Sequence, residues 1–345
     1  AELADRPVCE MCWKVFEDVG LEDEWRPENY SRKFFGPTRM REALTKSRNL
    51  VSIRLLRSIT VEYALDYISR FGFDPERLPG NLSLALGSGT VTPLEMAGGY
   101  SVLANGGYSV EPYFIDRIVH SKEGTVFEST PYRVCRECPK EEAGELRALA
   151  KSDDITEDVD PNLTGTTETV SAQRQYRVAK RVLSERNTWL MGSMLRDVVR
   201  FGTGHRAMSL GRNDLSGKTG TTNDQRDAWF SGYNADVVTT AWVGFDQLRP
   251  LGRRETGGRA ALPMWIYYMG EALKEQPDSI LAEPNGLVRV RINKDTGQRT
   301  SSEDPDSVVE TFRAENAPSN TIALENTQGV DPTQDGGGEI TEQLF

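Results

Sequence analysis

The sequence predicts an α+β fold, and two observations predict it. Residues 215–246 alternate apolar and small or polar residues around Ala228-Trp229-Phe230-Ser231-Gly232-Tyr233, with a turn near Asn234-Ala235, and read as three antiparallel strands. Residues 38–105 and 189–199 instead carry apolar residues at helical spacing. A chain of 345 residues is long enough for one large domain and an extension.

The elements follow in order. Residues 38–44 and 50–58 read as short helices on either side of a loop at Ser47, with Leu50, Ile53 and Leu56 on one face of the second. Residues 61–71 place Ala64, Tyr67, Ile68 and Phe71 on one side and stop at Gly72. Thr92-Pro93-Leu94-Glu95 is a capping box with proline at the first helical position, opening a helix that ends at Asn105-Gly106-Gly107. In residues 189–199, Leu190, Met194, Leu195 and Val198 mark a core helix, and its Met and Trp residues are core sooner than a cofactor box. Residues 286–293 alternate like a strand before a turn at Asp295-Thr296-Gly297.

The segment Leu215-Ser216-Gly217-Lys218-Thr219-Gly220-Thr221-Thr222-Asn223 carries the chemistry. A lysine among small residues on a strand edge offers free backbone groups, hydroxyls and one ammonium to an extended, anionic peptide end. The bland alternative is an ordinary strand end with a solvated lysine. Ser47-Arg48-Asn49 is a second small polar motif, and its bland alternative is a helix N-cap.

Lys218-Thr219-Gly220 and Ser47-Arg48-Asn49 resemble two of the three elements of the serine acyl-transferases, Ser-x-x-Lys, Ser-x-Asn and Lys-Thr-Gly. Phe35-Gly36-Pro37, Leu84-Ala85-Leu86-Gly87-Ser88-Gly89, Thr92 to Ala97, Gly202-Thr203-Gly204 and residues 217–233 extend the likeness. Together they are similar to the transpeptidase domain of bifunctional class A penicillin-binding proteins, over about residues 15–345. The resemblance implies a penicillin-binding/β-lactamase-like transpeptidase fold: an antiparallel sheet flanked by helices, with a helical lobe, here incomplete.

It also implies roles. Ser47 would relay a proton to the leaving amine. Asn49 would bond the substrate amide and orient the lysine of Ser-x-x-Lys. Lys218 would supply positive potential. Thr219 and Thr221 would hold a terminal carboxylate, the backbone of 221–223 would pair with the peptide and supply part of the oxyanion hole, and Gly220 and Thr222 would join them in binding substrate. The substrate class implied is the D-Ala-D-Ala stem peptide of peptidoglycan, with β-lactams as its mimics, no cofactor, and cell-wall synthesis regulators as further partners.

The nucleophile of that scheme has no place in the sequence: no serine is followed at the third position by lysine. The family's membrane anchor and glycosyltransferase domain are expected to lie outside these residues. Residues 1–14 do not resemble the family and are expected to be a foreign head, followed by a transpeptidase-like part at 15–280 and an extension at 281–345. The chain is therefore expected to be inactive alone. The parent would sit at the periplasmic face of the inner membrane, reaching the membrane only through the missing anchor. Two other readings stand beside this one: a non-catalytic peptidoglycan- or partner-binding module using the same groove, and a carboxypeptidase or β-lactamase relative.

Net charge is −11 and pI about 5.0, which argues against non-specific nucleic-acid binding. Nine acidic against three basic residues in 140–170 read as a partly disordered surface insertion, within an insertion at about 133–180. Ten acidic residues and one basic in 303–345 read as a flexible acidic tail. The four cysteines form two Cys-x-x-Cys pairs, Cys9/Cys12 and Cys135/Cys138. Their grammar suggests a four-thiolate zinc site, but the long separation weighs against it, and local disulfides or reduced thiols stay open. The resemblance places the second pair in the fold. His120 and His205 are the only histidines and are expected to be structural.

Overall fold

The computed structural model describes residues 15–18, 26–135, 146–148 and 175–319. The predicted head, Cys9 and Cys12, Cys138, and nearly all of the acidic insertion lie outside them. Strand β1 (Val15–Asp18) pairs antiparallel with β2 (Gly36–Arg39). Thr38 and Arg39, expected to begin a helix, thus belong to a strand, and the helix α1 (Met40–Lys46) starts only after them. The backbone of β1 supplies the ladder that overrides local helix propensity there.

Helix α2 (Asn49–Ile59) buries Leu50, Val51, Ile53 and Leu56. Helix α3 (Val61–Ser69) begins at Thr60, whose hydroxyl accepts from the Tyr63 amide. Helix α4 (Pro93–Ala104) has the predicted capping box: Thr92 N–H donates to Glu95 Oε2 at 2.7 Å, and Glu95 N–H donates to Thr92 Oγ1 at 3.2 Å. Between α4 and the next long helix come the short strands β3 (Tyr108–Ser109), β4 (Arg117–His120), β5 (Gly124–Glu128), β6 (Tyr132–Arg133), β7 (Leu146–Ala148), β8 (Gln175–Val178) and β9 (Lys180–Arg181). They form small separate ladders, including a β4–β5 hairpin exposed along both strands.

Helix α5 (Glu185–Phe201) is capped by Ser184 and buries Leu190, Met194, Leu195, Val198 and Val199. The central sheet then runs β10 (Ser216–Thr221), β11 (Ala228–Tyr233) and β12 (Val238–Val243), in that spatial order and antiparallel. Asn234 closes the β11–β12 turn, its Oδ1 accepting from Asp236 and Val237 amides. The alternation of strand residues assigns the two faces. Tyr233 meets Tyr100 of α4, and Ser216 donates to the Gly192 carbonyl of α5 at 3.1 Å, so α4 and α5 cover one face. Phe230 packs edge-on to Trp265 of α6 (Leu262–Ala272) on the other, with ring centroids 4.9 Å apart.

A hairpin of β13 (Leu287–Asn293) and β14 (Ser307–Arg313) completes the described chain. The flexible tail expected from residue 303 is corrected here for its first part. Val290, Ile292 and Phe312 form a small core of their own, and Glu310 is buried beside it. Acidic composition hid a strand because its charged residue points inward to arginines.

Candidate active site

The site lies where the end of α1 faces β10, an edge strand of the central sheet. Helix α1 ends in a left-handed residue, Ser47, with φ 55° and ψ 56°. The Ser47 and Arg48 amides bond back to the Leu44 and Ala43 carbonyls at 3.2 and 2.8 Å, which closes the helix end. Ser47 is thus a C-terminal cap, not the N-cap that its position before α2 suggested. Its side chain caps nothing and is left for another partner. That partner is Lys218, whose Nζ donates to Ser47 Oγ at 2.8 Å and to the Thr219 carbonyl at 3.0 Å. Burial pushes the Lys218 ammonium down to about 8.

Alternation along β10 divides the work. Ser216 and Lys218 point to the α1–α5 side, while Thr219 and Thr221 point to the α6 side. Thr219 and Thr203 share a hydrogen bond of 2.6 Å between their hydroxyls. Thr203 sits on the turn after α5, where Gly202 is compulsory: a Cβ there would lie 2.2 Å from the Thr45 carbonyl oxygen. Thr221 Oγ1 accepts from the Gly257 amide at 3.0 Å. Gly257 opens a single π-helical turn, Gly257–Ala261, pressed so close to β10 and β11 that a Cβ would meet the Trp229 and Gly220 carbonyl oxygens.

Two loops wall the far end of the strand. The Gln225 carbonyl accepts from Leu251 N–H, and Gln225 Oε1 accepts from Arg254 N–H. Asp224, Gln225 and Arg254, like Ser47, hold left-handed backbone without being glycine. Such conformations cost about 1–3 kcal/mol each and persist where surrounding structure enforces them, often at working sites. An edge strand, a hydroxyl–amine pair and a row of threonines give an extended peptide a ladder, an anion-binding end and a proton path.

Residues 17–247 match the family model described as the penicillin-binding protein transpeptidase domain. The chain belongs to the penicillin-binding protein transpeptidase family. Penicillin-binding protein 1A of Pseudomonas aeruginosa is 47% identical over 317 residues, covering 88% of this chain and 38% of that protein. The Vibrio cholerae penicillin-binding protein 1A is 37% identical over 336 residues, covering 93% of this chain and 38% of its own. The chain therefore spans about two fifths of the length of these relatives. The crystal structure of penicillin-binding protein 1A from Haemophilus influenzae superposes with a TM-score of 0.75 at 30% identity, covering 93% of this chain and 47% of that one.

Not every residue singled out in this transpeptidase domain faces the Ser47–Lys218 pair. Asn49 is the first residue of α2, and its Nδ2 donates to the Glu28 carbonyl at 2.8 Å, tying α2 to the preceding segment. The role implied for it requires that amide to turn. Thr222 Oγ1 is taken by the Arg226 and Asp227 amides, so it closes the turn after β10 instead of facing a ligand. His205 Nδ1 lies 2.6 Å from the Arg200 carbonyl oxygen, and His120 sits on the β4–β5 hairpin. Cys135 is disulfide-bonded, which removes it as a thiolate ligand. Among the described residues no helix is long and apolar enough to cross a membrane. Sequence reasoning missed Gln225, Gly257 and the acceptor role of the Thr219 carbonyl, which depend on loops folding back over the strand and leave no periodic signal.

Proposed function

We propose that this chain is the Lys-Thr-Gly-bearing portion of a peptidoglycan DD-transpeptidase, with the acylated serine supplied by a Ser-x-x-Lys segment of the parent protein upstream of these residues. The observation that carries the reading is the 2.8 Å hydrogen bond between Lys218 Nζ and Ser47 Oγ beside an edge strand. The stem peptide, ending in D-Ala-D-Ala, lies antiparallel along β10. Thr219 and Thr221 hold its terminal carboxylate, and the ammonium of Lys218 adds positive potential. After serine attack, Ser47 gives its proton to the departing amine and takes one from Lys218, whose lowered pKa of about 8 makes that transfer easy near neutrality. An amine from a second stem resolves the acyl-enzyme as a cross-link. β-Lactams enter as mimics of the same peptide end. The parent works at the periplasmic face of the inner membrane.

The chain alone does not acylate, because a missing member of a catalytic set removes most of the rate. Intact-mass spectrometry after incubation with benzylpenicillin tests this, comparing the chain with a version extended upstream to include Ser-x-x-Lys. One penicilloyl mass on the extended version only is the expected result. An adduct on both identifies another nucleophile here and sinks the assignment. An adduct on neither, with native circular dichroism, makes the groove a binding surface.

A further inference from the structure

The C-terminal hairpin lies beyond the residues that match the family model, yet it reaches the site through one carboxylate. Glu310 on β14 has a side chain 7% exposed. It accepts from Arg39 of β2 at 3.0 Å and from Arg41 of α1 at 2.8 to 3.0 Å. Arg41 spreads its guanidinium between two elements, β14 and α5. Besides Glu310, it donates to Ser193 Oγ at 3.0 Å and to Asp197 at 2.9 Å, both on α5. Burial works against the Arg41 charge, and the two carboxylates more than offset it.

Helix α5 is the ruler of the site. It is bonded to β10 through Ser216 and Gly192. At its other end it holds the last turn of α1: Lys46 Nζ donates to the Phe201 carbonyl at 2.8 Å, and Thr203 N–H donates to the Thr45 carbonyl at 3.4 Å. Helix α1 has only seven residues and cannot hold its own register. Its first turn is pinned by Arg41 and its last by Lys46, and Ser47 follows directly.

We propose that Glu310 is a positioning residue for the candidate site, fixing α1 on α5 through Arg41 and so placing Ser47 opposite Lys218. The inference rests on the reading of Ser47 and Lys218 as the working pair. It makes the hairpin a structural requirement of the site and not an appendage. Removing the carboxylate frees the start of α1, lets water reach Lys218, and loosens its bond to Ser47.

The test is side-chain nitrogen NMR of lysine, following the Lys218 ammonium through a pH titration of this chain. Glu310→Gln is expected to move the midpoint up from about 8 toward the ordinary 10.5, by roughly half a unit or more. Glu310→Asp keeps the charge and restores much of the original midpoint. Glu315→Gln, at an exposed contact to Arg186 just past the end of β14, leaves it unmoved. Should Glu310→Gln not fold, Arg41→Lys, which keeps charge but loses the bridging fork, is read in the same way. An unmoved midpoint in the folded variant overturns the inference. That failure is distinct from failure of the transpeptidase reading, which shows as a missing penicilloyl adduct on the extended chain and leaves this titration as it is.

Discussion

Lys218 Nζ lies 2.8 Å from Ser47 Oγ although 171 positions of sequence separate the two residues. The bond joins a strained helix end to an edge strand. Both partners are held at a cost to stability, and that cost makes them measurable.

For Lys218 the cost is desolvation. Its pKa falls from 10.5 to about 8 in the folded protein, so the unfolded chain binds more protons between those values. Below about pH 8 the lysine is charged in both states and the penalty is complete. It fades as pH rises toward 10.5 and is gone above it, where the amine is neutral in both. Lys218→Met is expected to stabilise the chain by about 1–3 kcal/mol at pH 7, with the gain vanishing above pH 10.5. Urea unfolding at several pH values reads this directly. A gain that grows with pH contradicts the burial account.

Ser47 carries backbone strain. At φ 55° a serine pays for a conformation that glycine adopts freely. Ser47→Gly is expected to raise stability by about 1 kcal/mol while removing the hydroxyl bonded to Lys218. In the extended protein the same change should slow acylation by benzylpenicillin. A variant both less stable and equally reactive would mean that Ser47 is held for packing alone.

The sequence makes these two residues legible to different degrees. Lys218 sits on a strand whose alternation with 228–233 is local, and the sheet follows from it. Ser47 was open to an N-cap reading because Ser and Asn favour helix starts. The left-handed turn that aims it at Lys218 is set by the fit of α1 on α5. That fit depends on Arg41, Gly202 and Glu310, residues far apart in the chain whose pairing no periodicity reveals. Glu310 was the least legible, since a strand whose inward position is an acid breaks the apolar alternation and looks like part of a tail.

A buried carboxylate organises the base of β10. Asp214, fully buried in its side chain, is bonded to Arg212 at 2.6 Å, Ser279 N–H at 2.9 Å and Asn234 Nδ2 at 3.1 Å. Burial alone would raise its pKa, but the Arg212 bond and charge, with the Ser279 and Asn234 donors, outweigh it and hold the carboxyl below the 3.8 of a free aspartate. A carboxylate with a depressed folded pKa contributes stability that is complete above the unfolded value and is lost as pH falls through the folded one. Asp214→Ala takes the nearest carboxylate from a largely buried Arg212 and leaves the Ser279 and Asn234 donors unpaired, so it should cost about 3 kcal/mol at pH 7. The deficit should shrink as the wild-type protein is acidified below pH 4, because protonation removes the same charge from the native site. Because Asp214 ties the entry to β10 to the end of β11 and to the segment after α6, the variant should also broaden the Lys218 titration. Equal stability loss at pH 7 and pH 3 would show that the aspartate acts by packing and not by its charge.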